Sequence, residues 1–574
     1  MQFKILTQYL QKLDVTASRI EITKILSDLF KKTTAGEIDR SVYLILGTLA
    51  PGFRGIVFNM AERMVVKAIA EAMTVEEDLV TKKYKEVGDM GETAMSYAIC
   101  NTKYVTRKLS VGDVYEKLLE IANDSGEDSV ARKVTKTSEL LKILDPESAK
   151  YVVRIMLGKL RLGFSDKTIL DALSWMETGG KSKKKHLEEA YNILPDPGLL
   201  AKEVKDMGID KATENIDPVL FVPLLPMLAA RLKSSSEMIE KMGIVYVEPK
   251  FDGLRIQIHY KRGEGIKAYT RNLRETSWMF PELSGIDKYI KAKEVILDTE
   301  AVGVDEERKA MANFQTTMTR RRKHDIEEIA AKVSIKFNVF DIMYKDGTNL
   351  VYIPYKERRE ILAGTVLASR SGAGVLLVVD YEETKDPKRI EELMQKNLKA
   401  GLEGVIVKKK DSQYIAGRTG YRWVKMKEKE SQKAKLADTI DAVVMGYYRG
   451  RGKRNVFGIG GFLVGIPDHG KILSFTKIGT GLTDKQFREL KGRLKKLETK
   501  EKPKEYGGVS TNHIPDVWVN PSQVVEIAAD EITKSPIHSS GFAVRFPRLV
   551  KFRDDKSVNQ ATSTSEISKL YKLQ

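Results

Sequence analysis

Hydrophobic periodicity changes once along these 574 residues, near Pro218, and that change bounds the fold more tightly than any other feature. Ahead of it, apolar residues recur at helical spacing. Ile38, Val42, Ile45, Leu46 and Leu49 form one run, which Pro51-Gly52 is expected to stop. Asp145 and Pro146 read as N-cap and first helical residue, and Val152, Val153, Met156, Leu157 and Leu160 follow on one face. VLFVPLLPMLA then reads as a connection between domains, because Pro223 and Pro226 cannot sit inside a helix. Beyond it alternation takes over: Leu254, Ile256 and Ile258 share one strand face, Arg255, Gln257 and His259 the other. Further strands are expected at 294–298, 335–343, 404–408 and 422–427, with a helix at 389–398 among them. A polar stretch at 428–435 leads into short strands near 439–447, 457–466, 472–478, 523–527 and Val550. Such a series suits a small barrel such as the OB-fold, although periodicity does not separate it from other small barrels. The expected organisation is therefore multidomain: an all-α domain at 1–225, an α+β domain at 226–430 and an all-β domain at 431–574.

Charge narrows the partners. Lys plus Arg number 97 against 79 Asp plus Glu, a formal charge of +18. That excess favours a polyanion, with affinity that falls as salt rises. No run approaches the roughly 18 uncharged apolar residues of a membrane helix, and MQFKILTQYLQKLD lacks the pattern of a signal peptide. An intracellular, cytoplasmic protein without a membrane partner is expected. The single cysteine, Cys100, excludes internal disulfides and Cys-rich zinc sites, and its apolar surroundings at 94–100 predict burial.

The chemistry centres on Glu248-Pro249-Lys250-Phe251-Asp252-Gly253-Leu254-Arg255. A lysine between two strands is either the charged tip of a hairpin or a nucleophile. In the second case the amine, of ordinary pKa about 10.4, has to lose its proton. Lys425 and Lys427 lie two apart on one strand face, with Val424 and Met426 on the other. Two adjacent cations fit a phosphate between them, or a solvated face. Phe340 falls opposite Ile335, Phe337 and Val339, beside Lys336 and Asn338, where an aromatic stacks on a base or packs under a helix.

EPKFDG resembles motif I of the covalent nucleotidyltransferases: DNA ligases, RNA ligases and mRNA capping enzymes. LDTEAV (Leu297–Val302), FNVFDIMYKDG (Phe337–Gly347), EGVIVK (Glu403–Lys408), WVKMK (Trp423–Lys427) and RFPRLVKFRDDK (Arg545–Lys556) resemble five further motifs in that family's order. The resemblance implies that Lys250 attacks the α-phosphate of ATP. It implies Glu248 reading adenine and Phe340 stacking on it, Arg255 and Arg271 on the sugar-phosphate side or the nick's 5′-phosphate, and Glu300 and Glu403 on ribose or on Mg²⁺, with Mn²⁺ as an alternative. Lys408, Lys425 and Lys427 would neutralise phosphates; Arg553 and Lys556 would orient pyrophosphate. Many relatives carry an arginine four residues before the motif V tryptophan. Here Thr419 stands there, so Arg418 or Arg422 is the candidate nucleotide contact.

The flanks choose among the relatives. DMGETA (Asp89–Ala94) and GKLRLGF (Gly158–Phe164) resemble the DNA-binding domain that archaeal and eukaryotic ATP-dependent DNA ligases place before the catalytic core. FQTTMTRRRKHD (Phe314–Asp325), KIGTGLTD (Lys477–Asp484) and NQATSTSEI (Asn559–Ile567) add matches. The resemblance implies ATP as AMP donor, since NAD⁺-dependent ligases typically carry a four-cysteine zinc module. It implies nicked double-stranded DNA as substrate in replication, repair and recombination, a nucleoid-associated location and a monomer. A sliding clamp is a further candidate partner, although no clear clamp-binding peptide is present. An RNA-directed nucleotidyltransferase and a catalytically silent nucleic-acid binder are the competing readings.

Overall fold

A computed structural model describes residues 1–573 apart from 17, 101–106, 161, 233, 306–309, 312–333, 368–373, 418–419, 428–438, 451–455, 480–481 and 530. Two compact units emerge: Met1–Met73 with Asn101–Glu428, and Thr74–Cys100 with Lys429–Gln574. No helix among the described residues is long and apolar enough to cross a membrane.

The described residues from Phe3 to Ala212 fold mainly into helices, as expected. The helix Pro146–Met156 starts with Asp145 accepting from Ser148 N–H and with proline in its first turn, where the missing N–H costs nothing. Helix Ile38–Ile45 ends earlier than expected. Gly47 takes φ +74 and turns the chain before Pro51 is reached. Cys100 is exposed, contrary to expectation. It closes the helix Met90–Cys100, whose buried face carries Ala94 and Ala98. Two residues beyond Ala98, Cys100 points roughly 200° away from that face.

The unit Met1–Met73 with Asn101–Glu428 also holds two sheets. Their strands are β1 (Val245–Lys250), β2 (Leu254–Lys261), β3 (Gly265–Thr270), β4 (Glu294–Asp305), β5 (Ala310–Met311), β6 (Ser334–Lys345), β7 (Thr348–Asn349), β8 (Leu376–Val378), β9 (Glu382–Thr384), β10 (Gly404–Lys409) and β11 (Trp423–Lys427). One sheet runs β11-β10-β1-β9; the other runs β3-β2-β4-β6-β7, with β5 on β4 and β8 on β6. Leu254, Ile256 and Ile258 enter a core with Ile335, Phe337, Val339 and Ile342. Val245, Val247, Val405, Val407 and Val424 pack under the helices Ser235–Met242 and Pro387–Lys399.

The polar face of β2 is not solvated. Arg255, Gln257 and His259 each grip the proline-rich connection: Arg255 Nη1 donates to Met227 O at 2.5 Å, Gln257 Oε1 accepts from Leu224 N at 2.8 Å, and His259 Nδ1 accepts from Phe221 N at 3.0 Å. The connection is thus bolted along the sheet rather than hanging free. His259 is fully buried and its pKa is pushed down to about 3, by burial first and by Lys267 second. Its neutral form is required because Nδ1 must accept. An unfolded histidine titrates near 6.5, so the folded state binds fewer protons between that value and about 3. This contribution to stability is complete above pH ~6.5 and is lost as pH falls toward 3. Urea midpoints are expected to drop between pH 7 and 4.5, and His259→Gln is expected to flatten that drop. An unchanged slope would exclude His259 as its source.

The second unit is β-rich. Its strands are β12 (Ile440–Tyr448), β13 (Gly461–Asp468), β14 (Lys471–Ile478), β15 (Glu498–Thr499), β16 (Val517–Val519), β17 (Val524–Ala528), β18 (Glu531–Lys534), β19 (Phe542–Arg545) and β20 (Arg548–Phe552). β12 is central, pairing with β13, β16 and β17; β13 continues to β14 and β17 to β20. All five expected strands are present, in the OB-type pattern of a small curled sheet. The all-β expectation needs correction: helices Asp484–Lys495 and Thr564–Leu573 belong here too, and Leu490, Leu494 and Ile567 enter the same core as Val444 and Phe462.

Candidate active site

The two sheets of the first unit face each other across a cleft. Glu248, Lys250, Ile406, Lys408 and Trp423 come from one sheet; Arg255, Glu300 and Phe340 come from the other. Strand geometry delivers them. β1 and β10 pair so that Glu248 lies opposite Ile406, and β10 and β11 so that Ile406 lies opposite Lys425. Residues two apart share a face, so Lys408 and Trp423 join the same wall. Gly253 and Gly404 allow the close approach: a Cβ at either would overlap a backbone carbonyl, Ala301 O or Met426 O. Gly404 also takes φ +135, which disfavours side chains.

Lys250 sits at the mouth of the cleft in an ion pair with Glu403, and Lys427 Nζ reaches the same Glu403 oxygen at 2.8 Å. Burial pushes Glu403 upward, but its bonds to Lys250 and Lys427 outweigh this and hold it below the usual carboxylate range. Burial and the adjacent Glu403 charge raise Asp252. Burial also raises Glu300, to about 7, against the pull of Lys250 and Arg255.

Deeper in, Lys408 is almost fully buried. Its Nζ pairs with Glu248 at 2.6 Å and donates to Tyr355 Oη at 2.8 Å, and burial lowers its pKa. The ammonium lies 4.5, 4.7 and 4.4 Å from the ring centres of Phe340, Tyr355 and Trp423. Such a cage suits a cation. The cleft measures about 100 Å³, below the usual range for a nucleotide-sized ligand, and the Lys408 ammonium lies among its rings.

The expected residues are spread over more than the cleft wall. Lys408 faces Glu248 rather than open phosphate space. Arg255 is in the wall, but Asp298 holds its guanidinium through two bonds of 3.0 and 2.6 Å. Arg271 is exposed in the turn after β3 and is not among the residues lining the cleft. Lys425 shares the strand face of Trp423 and Lys427. Arg553 and Lys556 belong to the other unit. Arg418 and the run 314–325, like Arg161, lie outside the described residues. Lys159 of GKLRLGF pairs with Glu62.

Sequence reasoning missed Tyr355, Asp298 and the bulge at Phe340. In the β4–β6 register Thr299 opposes Val339 and Asp298 opposes Asp341, so Phe340 is the extra residue. A bulge re-aims its side chain, here toward the cleft. Tyr355 begins the helix Tyr355–Thr365, and nothing local to it signals its bond to Glu248. Asp298 had a signal: it alternates with Glu300 on β4, across from Arg255 and Gln257 on β2.

Comparison with known proteins agrees along the whole chain. The family model for the DNA ligase N terminus matches residues 2–174, that for the ATP dependent DNA ligase domain 226–427, and that for the ATP dependent DNA ligase C terminal region 455–556. A probable DNA ligase of Dictyoglomus turgidum is 38% identical over 585 residues, covering 100% of this chain and 98% of that protein. A DNA ligase of Sulfolobus acidocaldarius is 35% identical over 600 residues, with the same coverage. The solved structure of Pmar-Lig_PreS3 shares the fold, with TM-score 0.54 and 18% identity over 96% of this chain and 99% of that one. With the KFDG lysine set in a two-sheet cleft and likeness running from end to end, the chain belongs to the ATP-dependent DNA ligase family.

Proposed function

We propose that this chain seals nicks in duplex DNA by three successive transfers, with Lys250 as the covalent carrier of AMP. Nζ of Lys250 gives up its proton and attacks the α-phosphate of ATP; the N–P bond forms as the bond to pyrophosphate breaks. AMP then passes to the 5′-phosphate at the nick. The 3′-hydroxyl attacks that phosphate and expels AMP. This chemistry needs positioning and charge neutralisation more than bond-making groups from the protein. Glu403 is the carboxylate in contact with Lys250. Phe340 and Glu248 provide a ring and an acceptor for adenine, once Lys408 leaves the cage for the phosphates. Lys425 and Lys427 meet phosphate charge from β11. The observation that carries this reading is convergence: Lys250, Glu300 and Phe340, from three strands, line one cleft.

Mg²⁺ fits the donor set. Among the described residues no group of three or more His, Cys, Asp or Glu side chains forms a site for a metal ion. Mg²⁺ is ordinarily held by one or two carboxylates plus substrate phosphates, and Glu300 and Glu403 are the carboxylates on offer. The ion would neutralise charge on the phosphate oxygens. The reading divides the chain into a DNA-binding part at 1–225, an adenylation part at 226–430 and an OB part at 431–574; the three family matches support that division. It takes one chain per nick in the nucleoid, and the charge of +18 supports a DNA partner. A sliding clamp remains a candidate recruiter.

Labelled ATP or GTP, with Mg²⁺, followed by a denaturing gel tests the chemistry. Label from ATP is expected to stay on the protein, and nicked DNA is expected to release it as sealing proceeds. Label from GTP alone would favour a capping activity, sealing confined to nicked RNA an RNA ligase, and no label a mere binder.

A further inference from the structure

The two cations at the end of RFPRLVKFRDDK are gathered by a residue more than a hundred positions earlier. Asp441 is the second residue of β12 and is 8% exposed. Its backbone is pinned on both sides by Thr562: Asp441 N–H donates to Thr562 Oγ1 at 3.0 Å, and Thr562 N–H donates to Asp441 O at 2.8 Å. Its carboxylate accepts from Arg553 Nη1 at 3.1 and 3.2 Å and from Lys556 Nζ at 2.6 Å. Asp555 holds the other edge of the Arg553 guanidinium, with bonds of 2.8 and 2.7 Å, and Glu526, opposite Asp441 on β17, lies 3.3 Å from Nη1. Asp554 is turned away, onto Arg493 at 2.7 Å.

Arg553 and Lys556 would repel if brought together alone. A buried carboxylate between them removes that repulsion and fixes where both point. We propose that Asp441 is a positioning residue for self-adenylylation, holding Arg553 and Lys556 as one pair that meets pyrophosphate together. The proposal rests on the reading that assigns those two cations to pyrophosphate. Preorganised charge acts on a transferring phosphoryl group without further reorganisation, and misplacement by about 1 Å costs on the order of 100-fold in rate.

The test uses the full chain and four variants: Asp441→Asn, Asp441→Glu, Arg553→Ala and the Asp441→Asn/Arg553→Ala double. Single-turnover labelling by ATP, its reversal by pyrophosphate, and sealing of pre-adenylylated nicked DNA are measured for each. Asp441→Asn is expected to label about 10- to 100-fold more slowly and to need about tenfold more pyrophosphate for reversal. Its sealing of pre-adenylylated DNA and its melting temperature should stay at the parent's values. Asp441→Glu should recover part of the labelling rate. The double variant should be little slower than Arg553→Ala, because the two residues act as a unit. Labelling by Asp441→Asn at the parent rate or faster, while Arg553→Ala is slow, overturns the proposal. Equal losses in labelling and sealing overturn it too, by showing a structural role. Parent-rate labelling by Arg553→Ala instead overturns the pyrophosphate assignment beneath it.

Discussion

Lys250→Ala is expected to retain no label from ATP at any nucleotide concentration, while binding nicked duplex with nearly the parent's affinity. The loss is complete because the phosphoramidate has one possible anchor; a methyl group cannot form the N–P bond. Binding survives because duplex affinity is spread over many phosphate contacts, of which this side chain, paired with Glu403 in the cleft, supplies at most one. Folding survives because Glu403 keeps Lys427 at 2.8 Å and is not left as an unpaired buried charge. Sealing of pre-adenylylated DNA should still be measurable, since that step needs no new lysyl adduct. Label on the alanine variant at the parent's level would remove Lys250 as nucleophile and leave the cleft without an assigned chemistry.

The largest stability loss is expected at a residue that never touches a nucleotide. Asp341 and Arg358 are both fully buried and joined by two bonds of 2.8 and 2.9 Å. Arg358 also donates to Ile353 O at 2.6 Å and Ser412 O at 3.2 Å, tying the start of helix Tyr355–Thr365 to the loop after β10. Asp341→Ala leaves a guanidinium buried without its counter-charge. Breaking such a pair costs about 3–5 kcal/mol, which for a domain of this size lowers the melting midpoint by roughly 6–20 °C. Tyr355 sits three residues before Arg358, and its hydroxyl bonds Glu248 and Lys408, so labelling by ATP should weaken along with stability. A midpoint within a degree or two of the parent's would contradict the role given to this pair.

Much of the site is legible in the sequence. Alternation placed Leu254, Ile256 and Ile258 in a core, and the two-residue spacing of Lys425 and Lys427 placed them on one strand face. The short ranges at 404–408 and 422–427 became β10 and β11 within a residue. The rest depended on how the chain winds and returns on itself. The sequence places Gln257 and His259 together on one face of β2, but not the return of the chain over them through Phe221 and Leu224. Cys100 looks buried in a linear apolar run and is exposed once the run is wound into a helix.

Residue order alone settled the helical-to-alternating change near Pro218, the strands β10 and β11 and the motif series, because these depend on spacing within one segment. Which side chains share a carboxylate, which strand carries the bulge at Phe340, and which partner holds Arg553 depend on pairing between distant strands. That pairing brings Lys250 to Glu403 and Asp441 to Arg553, and it is set by packing both sheet faces at once. Local spacing is silent about it, because a strand's period of two fixes the face a side chain takes but not the neighbour it meets there.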